Sequence, residues 1–399
     1  MFNSYPIKQL IVQGLEEGVY PGAAISVGDA GGEIYRGHFG FRALRPERLA
    51  MEADTLFDLA SLTKIVSTTM VAFKLMERGK LRLDDTLGDF FITPPDKTAI
   101  TIMRLMTHTS GLPAHTMLSE HAANPGESYE HIISMDLHAS PGEAVEYSCL
   151  GYILLGRICE ILGGAPLDRL ADDWVFGPIG MKRTSYNPAH KTDNAAGAHN
   201  AQTFAATEDG GGRTASRAPT YAATEDGEGR TASRAPAFAA TEYDKERGEC
   251  LSGVVHDENA RFLGGVSGNA GVFSDISDLS AFAIMLANKG SLGTGRTFIQ
   301  RELFDAAIIN HTPRCDEARG LGFAVKARTP VSCGGVFAAG SYGHTGFTGT
   351  SIWVDAETSQ YVVFLTNRVH PSRENNLLTP FRGRLHDCCA TEYLRQSMR

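Results

Sequence analysis

The sequence predicts an α+β protein in which one sheet is built from both ends of the chain, with a mostly helical region inserted between them. Three observations carry this. A strand–turn–strand pattern occupies residues 23–41, directly after a first helix. A long helical stretch covers residues 85–190. Short β-rich runs return beyond residue 321 and are closed by a last helical pattern.

The first helix is amphipathic, with Ile7, Leu10, Ile11 and Leu15 on one face and Gly18 at its end. Residues 23–27 are apolar, 29–32 form a turn cluster, and 33–41 carry Ile34, Tyr35 and Phe39, which reads as a β-hairpin. A second helix is predicted over 62–78. Ile65, Val66, Met70, Phe73 and Met76 form its apolar side and Gly79 its C-cap. Within the helical middle, LGYILLGRICEIL is the clearest helix, closed by Gly163 and Gly164. The runs GLGFAVKAR, GTSIWVDAE and QYVVFLTNRV are predicted strands, and 377–395 is the closing helix. This divides the chain into a discontinuous sheet domain, 1–84 plus 255–399, and a helical domain, 85–254.

Residues 204–220 and 221–237 match at 14 of 17 positions, and a third start, Phe238-Ala-Ala-Thr-Glu242, is cut short. The unit is polar and Gly-rich and has no apolar periodicity. Two copies cannot stack into a solenoid core, so a duplicated, weakly ordered surface loop is expected.

Composition removes several classes of function. The 399 residues carry 37 Lys+Arg against 46 Asp+Glu, a net charge of −9, which argues against a nucleic-acid-binding surface. No apolar run reaches 18 residues, so no membrane-spanning helix is expected. The seven cysteines are scattered without a C-x-x-C, indicating neither a disulfide framework nor a zinc site. The first 22 residues lack the apolar core of a secretory signal, which gives a cytoplasmic expectation.

Chemistry concentrates in Ser61-Leu62-Thr63-Lys64 at the start of the second helix. Residues three apart share a helical face, so the Lys64 amine can reach the Ser61 hydroxyl. A serine needs such a base, and a lysine serves only when its surroundings lower its pKa. Alone, S-x-x-K also fits a serine N-cap beside a solvated lysine. Two further elements change the balance: Glu146-Tyr147-Ser148-Cys149, just before the LGYILLGRICEIL helix, and Gly343-His344-Thr345-Gly346-Phe347, at the strand cluster.

With S-x-x-K, Y-x-[N] and H-T-G in this order, the chain resembles the β-lactamase-like serine hydrolases. That family includes class C β-lactamases, penicillin-binding proteins, D-amino acid peptidases and esterases. The stretches 100–113, 253–274 and 365–376 resemble it too. The resemblance implies an antiparallel β-sheet flanked by helices, with Ser61 as nucleophile and Lys64 and Tyr147 sharing the base work. It places His344, with a charge set by pH, and Thr345 beside the substrate, Gly346 where the strand edge nears the acyl group, and the N–H groups of Ser61 and Phe347 in the oxyanion hole. Cys149 stands where the family has Asn, and a thiol hydrogen-bonds weakly. This speaks against strong recognition of a substrate amide.

His108, His115 and His121 do not read as a metal site, and 256–259 (His-Asp-Glu-Asn) reads as a loop lining the site wall. The glycines at 264, 265, 268 and 271 lack the setting of a nucleotide loop. No cofactor is expected. The function expected is esterase-like hydrolysis or transesterification through an acyl-enzyme. The alternatives are β-lactamase, D-Ala-D-Ala carboxypeptidase or D-aminopeptidase activity, and a catalytically silent penicillin-sensing or scaffold protein. The partner is a small-molecule ester, amide or lactam. The sequence leaves the oligomeric state open.

Overall fold

The structure is a computed structural model that describes residues 2–188, 235–292, 295–327 and 332–397. Its strands in chain order are β1 (Gly22–Asp29), β2 (Gly32–Ala43), β3 (Leu49–Ala50), β4 (Phe57–Asp58), β5 (Ser185–Tyr186), β6 (Tyr243–Asp244) and β7 (Glu249–Cys250). They continue with β8 (Val272–Ser274), β9 (Ala324–Val325), β10 (Tyr342–Thr345), β11 (Ser351–Val354) and β12 (Tyr361–Thr366).

The main sheet has seven strands in the order β3-β2-β1-β12-β11-β10-β9, with every neighbouring pair antiparallel. The two chain ends meet where β1 pairs β12, from Ala23 opposite Thr366 to Gly28 opposite Tyr361. β1 is buried along nearly its whole length because both sheet faces are covered. Ile25, Val27, Trp353, Val362 and Phe364 face the helices Tyr5–Glu16 and Leu378–Ser397, meeting Ile7, Ile11, Phe381 and Leu385. The other face packs on the helix Ile276–Ala287 and joins a larger core with Thr69–Glu77 and Cys149–Gly163.

A small sheet, β4-β8-β5, ties residues 57–58, 272–274 and 185–186 together directly behind the second helix. The predicted hairpin and closing helix are present. The second helix differs: residues 60–62 form a 3-10 turn and Lys64–Thr68 a π-turn, and the α-helix begins only at Thr69. Positions 204–234 of the duplicated unit lie outside the described residues. The third start is folded into the core. Ala237 and Ala239 bond the backbone of Leu56, and Phe238 lies edge-on to Phe273 at 6.0 Å.

Candidate active site

Ser61 is reached through Ala60, whose φ of 46° is left-handed and holds for a non-glycine residue only when its surroundings fix it. Asp58 is the fixing group: its Oδ1 accepts the Ala60 N–H at 2.9 Å and its Oδ2 accepts the His256 N–H at 2.6 Å. Burial raises the Asp58 carboxyl above its ordinary range against the pull of those two N–H groups. From this turn Lys64 Nζ donates to Ser61 Oγ at 3.0 Å, to the Asn269 carbonyl at 3.1 Å and to Cys149 Sγ at 3.5 Å. All three ammonium protons thus have acceptors. Burial pushes Lys64 down, but the neighbouring Cys149 and Tyr147 outweigh it and hold the amine above its ordinary value.

Tyr147 and Cys149 are set by the start of the Cys149–Gly163 helix. Ser148 caps it, accepting the Gly151 N–H at 3.2 Å and donating to the Pro113 carbonyl at 2.7 Å. The Ser148 N–H donates to Nδ1 of the buried His108 at 3.1 Å, so the His108 proton sits on Nε2. Burial, Arg319 and Lys64 hold His108 well below its ordinary pKa, and its ring backs Tyr147 at 4.4 Å. The Tyr147 hydroxyl is buried without a hydrogen-bond partner. Its ring lies 5.0 Å from Lys64 Nζ and 5.3 Å from the Arg319 guanidinium.

The third motif is stitched to the first. Thr350 Oγ1 donates to the Leu59 carbonyl at 3.0 Å and Thr348 Oγ1 to the Asp58 carbonyl at 2.7 Å. A Cβ placed on Gly346 would lie 2.4 Å from the Leu59 oxygen and 2.1 Å from Thr350 Oγ1. Glycine at 346 is therefore required by the approach of this turn to the serine segment. The next residue is Phe347, with its carbonyl held by Arg368 Nε at 2.9 Å and its ring between His256 (5.6 Å) and Arg368 (4.6 Å). Its N–H has no acceptor among the described residues and so remains available to a substrate oxygen.

His344 departs from expectation. It is buried, Nδ1 donates to the Thr345 carbonyl at 2.8 Å, and Nε2 is unpartnered. Burial first, then Lys64 and Arg319, pushes its pKa down to about 3. His344 is neutral at physiological pH and presents a lone pair, so it supplies no positive charge to a carboxylate. The site opens into a cleft of about 900 Å³ lined by Ser61, Tyr147, Cys149, His344, Thr345, Gly346 and Phe347, while the buried Lys64 stands behind this wall and reaches Ser61 Oγ.

His256 belongs to its wall, with Nε2 3.1 Å from Glu242. Arg373 bridges Glu242 and Glu258, so 256–258 is an ion-paired rim and not an acid–base set. Among the described residues no cluster is arranged to hold a metal; His115 instead contacts Asn259, and His121 stacks on His131. Sequence reasoning assigned no role to Asn269, Thr348, Thr350 or Arg319. The resemblance of 253–274 to the β-lactamase-like hydrolases is the sequence signal that covers Asn269.

A seven-stranded antiparallel sheet flanked by helices, with a serine, lysine and tyrosine converging beside the β10 end, defines a class, the β-lactamase-like serine hydrolases. The chain belongs to the Beta-lactamase family, whose sequence pattern matches residues 7–385. It is a serine hydrolase of the β-lactamase-like type. A relative from Escherichia coli K12, named "Putative D-alanyl-D-alanine carboxypeptidase", is 30% identical over 337 residues, 79% of this chain and 70% of the relative. One of the same name from E. coli O157:H7 is 29% identical over 92% of this chain and 84% of its own. Among solved structures, EstCE1, described as a hydrolase with promiscuous acyltransferase activity, matches with TM-score 0.66 and 22% identity over 96% of this chain and 97% of that one. The octameric penicillin-binding protein homologue from Pyrococcus abyssi matches with TM-score 0.66 and 20% identity over 94% and 75%. At these identities the structural likeness shows the fold.

Proposed function

We propose that the chain hydrolyses carboxylic esters through an acyl-enzyme on Ser61. The observation that carries this is the 3.0 Å contact of Lys64 Nζ with Ser61 Oγ inside the cleft, with the Tyr147 hydroxyl buried and unpartnered beside it. Lys64, with all three protons committed, acts as a charged donor in this state. Tyr147 acts as the base in its phenolate form: its own proton goes first to water, the nearby Lys64 ammonium stabilises the anion, and the phenolate takes the Ser61 proton as the oxygen attacks the carbonyl. The Ser61 and Phe347 N–H groups receive the developing oxyanion, each such donor being worth about 2.7–4 kcal/mol of barrier. Tyr147 then gives the proton to the departing alkoxide, and water repeats the sequence to release the acid.

Cys149 supports an ester over an amide, because its sulfur is engaged by Lys64 and offers a substrate amide little. A second reading, removal of a C-terminal D-amino acid, is supported by the relatives' names and by the Arg319 guanidinium beside Tyr147, whose Nε is buried and unpartnered. Initial rates on short-chain aryl esters, a chromogenic cephalosporin and a D-Ala-D-Ala peptide decide between them. The ester reading expects the highest kcat/KM on the esters. A dominant rate on the peptide or the cephalosporin overturns it.

A further inference from the structure

Tyr147, the base of the proposed reaction, has a hydroxyl that bonds to nothing among the described residues. Its place therefore depends on its ring and on the two peptides that flank it. His108 touches all three. Its carbonyl accepts the Glu146 N–H at 2.9 Å, just before the tyrosine, and its Nδ1 accepts the Ser148 N–H at 3.1 Å, just after it. Its ring packs on the Tyr147 ring at 4.4 Å and on the Tyr152 ring at 5.3 Å. The other groups around the Tyr147 ring stand further off: Lys64 Nζ at 5.0 Å, the Arg319 guanidinium at 5.3 Å and His344 at 5.8 Å.

His108 is buried, and its φ of 58° is left-handed, which a residue with a Cβ keeps only where its neighbours fix it. With Nδ1 accepting, Nε2 carries the proton and is buried without a partner among the described residues, a cost that an apolar side chain would avoid. Only the neutral imidazole offers the acceptor, and burial, then Arg319, Lys64 and His344, keep the ring neutral. The same loop seats the helix start without His108, since the Pro113 carbonyl accepts from Ser148 Oγ at 2.7 Å and the Ala114 carbonyl accepts the Cys149 N–H at 2.9 Å. What His108 adds is confined to Tyr147 and its two peptides. We propose that His108 is the positioning residue of the Tyr147 base, bracketing the tyrosine on both sides and backing its ring so that the phenol is held beside Lys64 and Ser61. Displacing such a group by about 1 Å costs on the order of 10²-fold in rate. The inference rests on the acyl-enzyme reading of Ser61 and Tyr147, whichever acyl compound is attacked.

A double-variant cycle tests it. His108→Asn keeps an acceptor and suits the left-handed φ but removes the ring, whereas His108→Phe keeps a ring and removes the acceptor. Each is made alone and together with Tyr147→Phe, and kcat and KM are measured on a 4-nitrophenyl ester, with thermal melts to establish folding. Alone, each should lower kcat about ten- to a hundredfold with KM changed by less than about twofold. In the Tyr147→Phe background the same changes should move kcat by less than about twofold, because the group being positioned is already gone. Losses that multiply in the double variants, losses that appear in KM, or kcat retained in both single variants overturn the assignment. If His108→Phe does not fold, His108→Asn carries the cycle. An unchanged kcat in Tyr147→Phe alone overturns the base reading and this inference with it. The cycle is repeated on the rate at which a fluorophosphonate labels Ser61. If no ester is turned over, the ester reading fails, and the labelling rates still decide: non-additive losses support the role of His108, and losses that multiply overturn it.

Discussion

Lys64 holds three acceptors at once, and this decides how labour is divided in the cleft. Tyr147→Phe should lower kcat by about 10²–10⁴ with KM little changed, as loss of a proton acceptor does; steady-state kinetics checks this. His344 gives a pH prediction. Its folded pKa of about 3 lies below the ordinary value near 6.5, so between those pH values the unfolded chain binds more protons. Its contribution to stability is therefore present above about pH 6.5 and fades as pH falls toward 3. In urea unfolding between pH 4 and 6, His344→Gln should flatten the wild-type slope by up to about 1.4 kcal/mol per pH unit. Ser61 and Lys64 were legible in the sequence because S-x-x-K stands in order with Tyr147 and with His344-Thr345-Gly346; the three-residue spacing alone fits a capping serine beside a solvated lysine as well. The neutral state of His344 was not, since it depends on burial and on Lys64 and Arg319, which arrive from other parts of the chain.

The turn 346–350 does the positioning at the level of elements. Its two threonine hydroxyls reach the carbonyls of Asp58 and Leu59, which carry the serine turn. Thr350→Val should cut kcat about tenfold while Tm falls by only a few degrees, since about 1 kcal/mol of hydrogen bonding is lost. Gly346→Ala should be more severe, with the added Cβ driven into the Leu59 oxygen. Parallel kinetics and thermal melts separate the two. The apolar periodicity of 62–78 located the buried face correctly, yet it predicted one continuous helix. Periodicity reports which side is buried; a single wide turn at Lys64–Thr68 leaves that side in place.

For the whole molecule, the pairing of β1 with β12 closes the sheet and places the Ser61 turn against the β10 end. Both chain ends read as apolar strand patterns, so this much could be anticipated from sequence. The fate of the repeat could not. Its third start looks like a truncated copy, but Ala239, together with Ala237 at the end of the second copy, bonds Leu56, and Glu242 holds Arg373. Deleting 204–234 should leave kcat/KM within about twofold in steady-state kinetics, because this polar, Gly-rich sequence has no apolar periodicity with which to build a site wall. Extending the deletion through Glu242 should lower Tm by several degrees as those bonds go. Arg382, in the Leu378–Ser397 helix, is buried and its Nε has no partner among the described residues; Arg382→Met should raise Tm in thermal melts, because that buried cation is replaced by an apolar side chain of similar length.

The central claim, an acyl-enzyme on Ser61, is most directly tested by intact-protein and peptide mass spectrometry after brief reaction with a 4-nitrophenyl ester quenched in acid. The expected result is a single acyl adduct mapping to Ser61 and absent from Ser61→Ala. An adduct on another residue, or ester hydrolysis that survives Ser61→Ala, would contradict the account.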